Sequence, residues 1–273
     1  MQQMNKVYGQ GNAIFNSDKS DKSGTSTGNE NKVYGQYGQD SIIKQFFDIK
    51  NIKKGYFVDV GASEGTRINN SILLENNGWR GICIEAHPDY YSLLKKNRPN
   101  AKCVFAAVGD RDNVEVVINL NYRGSLTSLD FDNQSHFQTH YTEFYGDRDV
   151  KEIKGFRNGP YNINMRTLDN ILKEHSSYFK KNPDLIMIDI DGSEKYAFKG
   201  LDLSKWTPTL LLLEHSVLGH DAVDAYAAQY GYIRARTMGA DNIYTLNTED
   251  KNIITSLNPV GEKYIIPHIA DQR

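Results

Sequence analysis

Cysteine is nearly missing from this 273-residue chain, which has only Cys83 and Cys103. Both lie in apolar, strand-like runs where a free buried thiol is the expected state. The sequence therefore has no disulfide framework and no thiolate set for zinc, and a reducing, cytoplasmic setting is the default. Long apolar runs are missing too, so no membrane span is expected, and Met1 to Lys6 lacks the apolar core of a signal peptide. Nor is there an excess of one charge: 32 basic against 34 acidic residues give a net charge of -2. No nucleic acid or anionic membrane is expected as a partner on that balance.

What is present suffices for a soluble globular core. Residues 11–30 are dominated by Ser, Thr, Gly, Asn and charge, so residues 1–30 read as a flexible segment and residues 31–273 as one domain. The hexapeptide Asn5 to Gln10 recurs as Asn31 to Gln36, too short for a repeat architecture. From Gln39 the apolar residues Ile42, Ile43, Phe46 and Phe47 form a helical stripe. Strands are then expected at 56–60, 81–85, 101–108, 114–120, 185–191 and 210–214, with helices at 68–77, 88–98, 167–175, 194–200 and 221–230. Two closing strands follow at 232–237 and 242–246. This alternation predicts an α/β fold, a doubly wound, mostly parallel sheet covered on both faces. Residues 121–165 break the pattern with many aromatic residues, and read as an insertion that shapes a substrate pocket or covers it as a lid.

In such a sheet, ligands bind beyond the carboxyl ends of the strands, and those ends carry acids here. Asp59 lies at the end of the strand expected at 56–60, Glu85 ends that at 81–85, Asp189 and Asp191 end that at 185–191, and Glu214, followed by His215, ends that at 210–214. After Asp59 comes a loop, Gly61-Ala62-Ser63-Glu64-Gly65, that reads as a cofactor cradle offering backbone N–H groups. Glu85 stands 24 residues past Gly61, near the spacing at which a carboxylate accepts ribose hydroxyls. The loop departs from Gly-x-Gly-x-x-Gly and places Glu64 where a pyrophosphate would come. A cofactor bearing a sulfonium and an ammonium suits it better, which favours S-adenosylmethionine over NAD.

Several segments taken in order carry a more specific signal. These are Gly35 to Asp40, Phe57 to Gly65, Asn69-Asn70, Gly78 to Pro88 (GWRGICIEAHP) and Ile188 to Glu194 (IDIDGSE). Over residues 34–215 the chain resembles the FkbM-type family of S-adenosylmethionine-dependent methyltransferases. The resemblance implies a seven-stranded class I methyltransferase (Rossmann-like) sheet, and methyl transfer to hydroxyl oxygens, frequently on sugars. It implies that Asp59, Gly61 and Gly65 line the methionine side of the cofactor and that Glu85 holds the ribose. It further implies that Asn70, Gln36 and Asp40 close the pocket and that Ala107 sits by the adenine.

Methyl transfer from a sulfonium is an in-line displacement, so the protein must chiefly align the reactants and take the hydroxyl proton. Asp189 and Asp191, two apart on an expected strand, would share a face, and either could be the base. His215 is the other candidate, since imidazole titrates near neutrality; a structural histidine is the alternative. Asp189 with Glu214 could hold Mg2+, while Glu194 could serve as a local cap. His136 and His140 would share a helix face if their segment is helical. A carbohydrate or other hydroxylated molecule is the expected substrate. The competing readings are an inactive binding module of the same fold and an NAD-dependent oxidoreductase.

Overall fold

The computed structural model describes residues 32–120, 157, 159–179 and 182–263. The expected flexible segment at 1–30, the histidine pair His136 and His140, and most of the aromatic insertion lie outside these residues. The described chain begins with β1 (Lys32–Val33), which pairs in parallel with β12 (Glu262–Lys263). Helix α1 (Gln39–Ile49) follows, with Ile42, Ile43, Phe46 and Phe47 all buried, as the apolar stripe requires.

A seven-stranded sheet forms the centre. Its strands are β2 (Tyr56–Val60), β3 (Arg80–Glu85), β4 (Lys102–Phe105), β8 (Leu185–Ile188), β9 (Leu210–Glu214), β10 (Ile233–Met238) and β11 (Asp241–Thr245). Across the sheet the order is β10-β11-β9-β8-β2-β3-β4. The five strands from β9 to β4 are parallel, and β11 runs antiparallel to both β9 and β10. Near-continuous apolar sequence is needed because both faces are covered. On one face Val58, Val60, Ile186, Ile188, Leu211 and Leu213 pack with residues of α4 (Leu168–Glu174), α5 (Glu194–Lys199) and α7 (His220–Ala228). On the other, Phe57, Cys83, Leu185, Met187, Leu210 and Leu212 pack with residues of α1, α3 (Pro88–Asn97) and α8 (Thr248–Ser256).

Strands β3 and β4 are laid to one side of β2, after which the chain returns to β8 on its other side. That reversal makes the carboxyl ends of β2 and β8 the place for a ligand. Between β4 and β8 the chain builds a separate three-stranded sheet from β5 (Ala107–Val108), β6 (Val114–Leu120) and β7 (Gly159–Arg166), in the order β5-β7-β6.

Three expected elements are corrected. The strand expected at 101–108 is two strands in two sheets. Its pairing with β3 ends at Glu85 opposite Phe105, and β7 then supplies a new partner for Ala107 and Val108. The helix expected at 68–77 is only α2 (Ile72–Asn76), because Ile68 is left-handed and Asn69 Oδ1 accepts from the Ser71 and Ile72 amides. The strand expected at 185–191 ends at Ile188, and Asp191 (φ 52°) lies in a turn with Gly192 (φ 91°). Strand β7, α8 and the short helix α6 (Leu203–Trp206) carry no clear periodic signal. Among the described residues no helix is long and apolar enough to cross a membrane.

Candidate active site

The loop after β2 is held by its own contacts. Gly61 and Ala62 both donate to Ile84 O, Ser63 N donates to Glu85 Oε2, Gly65 N to Ala62 O, and Arg67 N to Glu64 Oε1. These amides are satisfied internally, so the expected cradle of free N–H groups is absent at these five positions. Gly61 adopts φ +87°, and a Cβ there would run into the Asp189 carbonyl, so this glycine lets the β2 and β8 ends touch. A Cβ on Gly65 would meet Arg98 and Leu94 at 2.6 Å.

Beneath the loop lies a buried polar relay. Arg98, 1% exposed, pairs through Nε with Glu75 at 2.6 Å, and its Nη1 donates to Gly65 O and Asn69 Oδ1. Its Nη2 donates to Ser71 Oγ, and Ser71 in turn donates to Asp59 Oδ2 at 2.6 Å. Asn69 Nδ2 reaches the same Asp59 oxygen at 2.9 Å. Both donors land on Oδ2, which leaves Oδ1 without a protein donor among the described residues. Removing one partner of a buried ion pair such as Arg98–Glu75 costs about 3–5 kcal/mol. Glu85 accepts from Ser63 N at 2.8 Å and His87 N at 2.7 Å; burial nevertheless raises its pKa to about 7, against the pull of those bonds.

Across the reversal point the acids face one another. One carboxylate oxygen each from Asp189, Asp191 and Glu214 lie within 4.8 Å of one another. The strand argument for Asp189 and Asp191 sharing a face is replaced by the turn, whose left-handed Asp191 folds back toward the cluster. Asp241, paired opposite Glu214 across β9 and β11, adds a fourth acid and is held by Gln39 Nε2 at 2.6 Å. Burial, then the Glu194 charge, lifts Glu214 to about 8; burial, then Asp189, lifts Asp241 to about 8. Asp189 and Asp191 are pushed well above the carboxylate range, by surrounding protein first and by Glu214 next. Asp189 remains open to water, so for that residue the crowding of carboxylates is the firmer cause. Glu214 Oε2 is buried with no hydrogen-bond partner, while Oε1 accepts from Ser216 Oγ. Glu194 serves locally, accepting from the Ile190 and Gly192 amides.

The remaining predicted residues are spread around these two groups. Asp40 is fully buried, accepts from Tyr34 N at 2.7 Å, and is raised by burial to about 6. Asn70 Oδ1 and Asp40 Oδ1 both face the bare Cα of Gly35, so the segment before α1 meets the loop before α2. Gln36 is half-buried in that segment. Ala107 is buried in the small sheet opposite Met165. His215 turns away from the acids: its Nε2 bonds Gly239 O at 3.2 Å and its ring stacks on His220 at 3.8 Å. Four participants were not predicted from sequence, namely Arg98, Ser71, Gln39 and Asp241. Asp241 opens β11, one residue before the strand expected at 242–246, so it was not among the acids read at the carboxyl ends of strands; the others carried no signal either.

Comparison with known proteins adds a family. The Methyltransferase FkbM domain profile matches residues 59–234. No curated protein matches the chain. Among solved structures, a hypothetical protein of Thermus thermophilus is 12% identical, with a TM-score of 0.36 over 74% of this chain and 79% of its own. A TehB-like SAM-dependent methyltransferase of Corynebacterium glutamicum, also 12% identical, gives a TM-score of 0.36 over 77% of this chain and 88% of its own.

Proposed function

Because the chain belongs to the methyltransferase FkbM domain family, we propose that it transfers the methyl group of S-adenosylmethionine to a hydroxyl oxygen of a carbohydrate or similar polyol, on a class I methyltransferase sheet. The observation that carries the choice of cofactor is the spent glycine loop. Its bonded amides offer a pyrophosphate little, whereas Asp59 Oδ1 and the carboxylate of Glu85 offer acceptors to an ammonium and to ribose hydroxyls. Bound S-adenosylmethionine supplies an already activated methyl group.

The chain's own task is alignment and proton removal. Asp59, fixed by Ser71 and Asn69, orients the amino-acid end, and Glu85 orients the ribose. Gly61 touches the Asp189 backbone, so a cofactor held over this loop would have the acid cluster as its neighbour. Asp189 is the most water-accessible member of that cluster and serves as the base that takes the acceptor's proton; Asp191 and Glu214 keep its proton affinity high. The same carboxylates would suit Mg2+, a hard cation that takes oxygen ligands and acidifies a bound hydroxyl. Free thiols at Cys83 and Cys103 accord with a reducing, cytoplasmic setting.

Thermal-shift titration tests the cofactor. S-adenosylhomocysteine is expected to stabilise the protein and NAD to leave it unchanged; the reverse result would replace this reading with an oxidoreductase. Transfer of labelled methyl to a glycan array, with and without chelator, tests the acceptor and the metal. Binding without transfer to any acceptor would point to an inactive module.

A further inference from the structure

At the amino ends of β3 and β4, the opposite end of the sheet from the acid cluster, lies a cleft of about 470 Å3. Glu75, Trp79, Arg80, Asn100, Lys102 and Tyr178 line it. Its charge is one-sided. The Glu75 carboxylate is committed to Arg98 in the interior, whereas Arg80 and Lys102 are exposed and form no ion pair among the described residues. Lys54 adds a third cation at the rim, its Cε 3.6 Å from where a Cβ of Gly78 would stand. The Arg80 guanidinium is not left to swing freely. It lies over the Tyr178 ring, 5.5 Å from the centroid, and the Tyr178 hydroxyl donates to Asn100 O at 2.9 Å.

We propose that this cleft is a binding site for a phosphate-bearing small molecule. A guanidinium presents a planar fork of donors to a phosphate, and an ammonium adds a point charge beside it. A cleft of this volume holds more than the phosphate alone, and the Tyr178 wall offers apolar contact to an organic remainder. None of its residues belongs to the acid cluster, and the site stands whether or not the methyl-transfer reading holds.

The test is calorimetric titration of the full chain with inorganic pyrophosphate, ionic strength held constant with sodium chloride. Saturable one-to-one binding is expected, weakened about tenfold by Arg80→Ala or by Lys102→Ala, and lost in the double variant with the melting temperature unchanged. Because both side chains are exposed, these variants are expected to fold. Absence of binding by the wild-type chain up to millimolar pyrophosphate would overturn the proposal. So would affinity in the double variant within twofold of wild type, since the anion would then sit elsewhere.

Discussion

Two groups of acids meet at the carboxyl ends of the same sheet, and they are built in opposite ways. On the β2–β3 side, Asp59, Glu64 and Glu85 are each met by donors: Ser71 and Asn69, the Arg67 amide, and the Ser63 and His87 amides. On the β8–β9 side, Asp189, Asp191, Glu214 and Asp241 face mainly one another. The first arrangement fixes carboxylates in place as rigid acceptors, which suits holding a ligand. The second raises proton affinity, which suits taking a proton. The second set is not bare of donors, since Gln39 reaches Asp241 and Ser216 reaches Glu214, but Asp189 and Asp191 meet carboxylates there. On the proposed function the first set binds and the second takes the proton.

That contrast breaks most visibly at Asp189. Asp189→Asn is expected to lower kcat about a thousandfold while S-adenosylhomocysteine affinity stays within about threefold; methyl-transfer rates and calorimetry read the two separately. Turnover near wild type would remove Asp189 from the proton path. The mirror experiment is Asp59→Asn, expected to weaken cofactor affinity about thirtyfold and to spare kcat at saturating cofactor. If both variants lost binding alone, the division between the two acid groups would fail.

Protonation sharpens the comparison further. Glu214 and Asp241 bind a proton more tightly folded, near 8, than their ordinary values of 4.5 and 3.8. Between about pH 4.5 and 8 the folded state therefore holds more protons than the unfolded one. Their contribution to stability is complete below that window and is lost as pH rises through it. The melting temperature of the ligand-free protein should fall from pH 5.5 to 8.5. Glu214→Gln should flatten the slope and raise the pH 8.5 value by about 3 °C, which corresponds to roughly 1 kcal/mol. Scanning calorimetry across pH decides it, and an unchanged slope would mean that these acids do not share protons as described.

The sequence was most legible where a strand is buried on both faces. The runs Tyr56–Val60 and Leu210–Glu214 are apolar nearly throughout, and the structure reproduces them residue for residue. The acids at their ends were legible for the same reason, since a charge closing an apolar run stands out. Turn geometry was not: the juxtaposition of Asp189 and Asp191 depends on a left-handed Asp191, whereas alternation along a strand gave the right pair for the wrong reason. Contacts far apart in sequence leave no periodic trace either. Gln39 and Asp241 are 202 positions apart, and Arg98, the last residue of the helix expected at 88–98, is buried beneath the glycine loop.

His215 provides the smallest expected effect and the sharpest arbitration. Sequence made it an alternative base because it lies just past a strand end and imidazole titrates near neutrality. In the fold it follows Glu214 yet belongs to neither acid group. Its Nε2 is engaged with Gly239 O, its ring stacks on His220, and burial first, then that neighbour, lowers its pKa. His220 is itself fixed, with Arg234 Nη1 and Asn242 Nδ2 both directed at its Nδ1. His215→Asn keeps a polar side chain beside the β10–β11 turn, and is expected to change kcat by less than about threefold and to leave the pH profile of kcat in place. A loss of a hundredfold or more, with the pH profile displaced, would transfer the proton to the imidazole. The crowded acids would then act by holding an acceptor or a cation, and the opposition between the two carboxylate groups would be one of two kinds of binding.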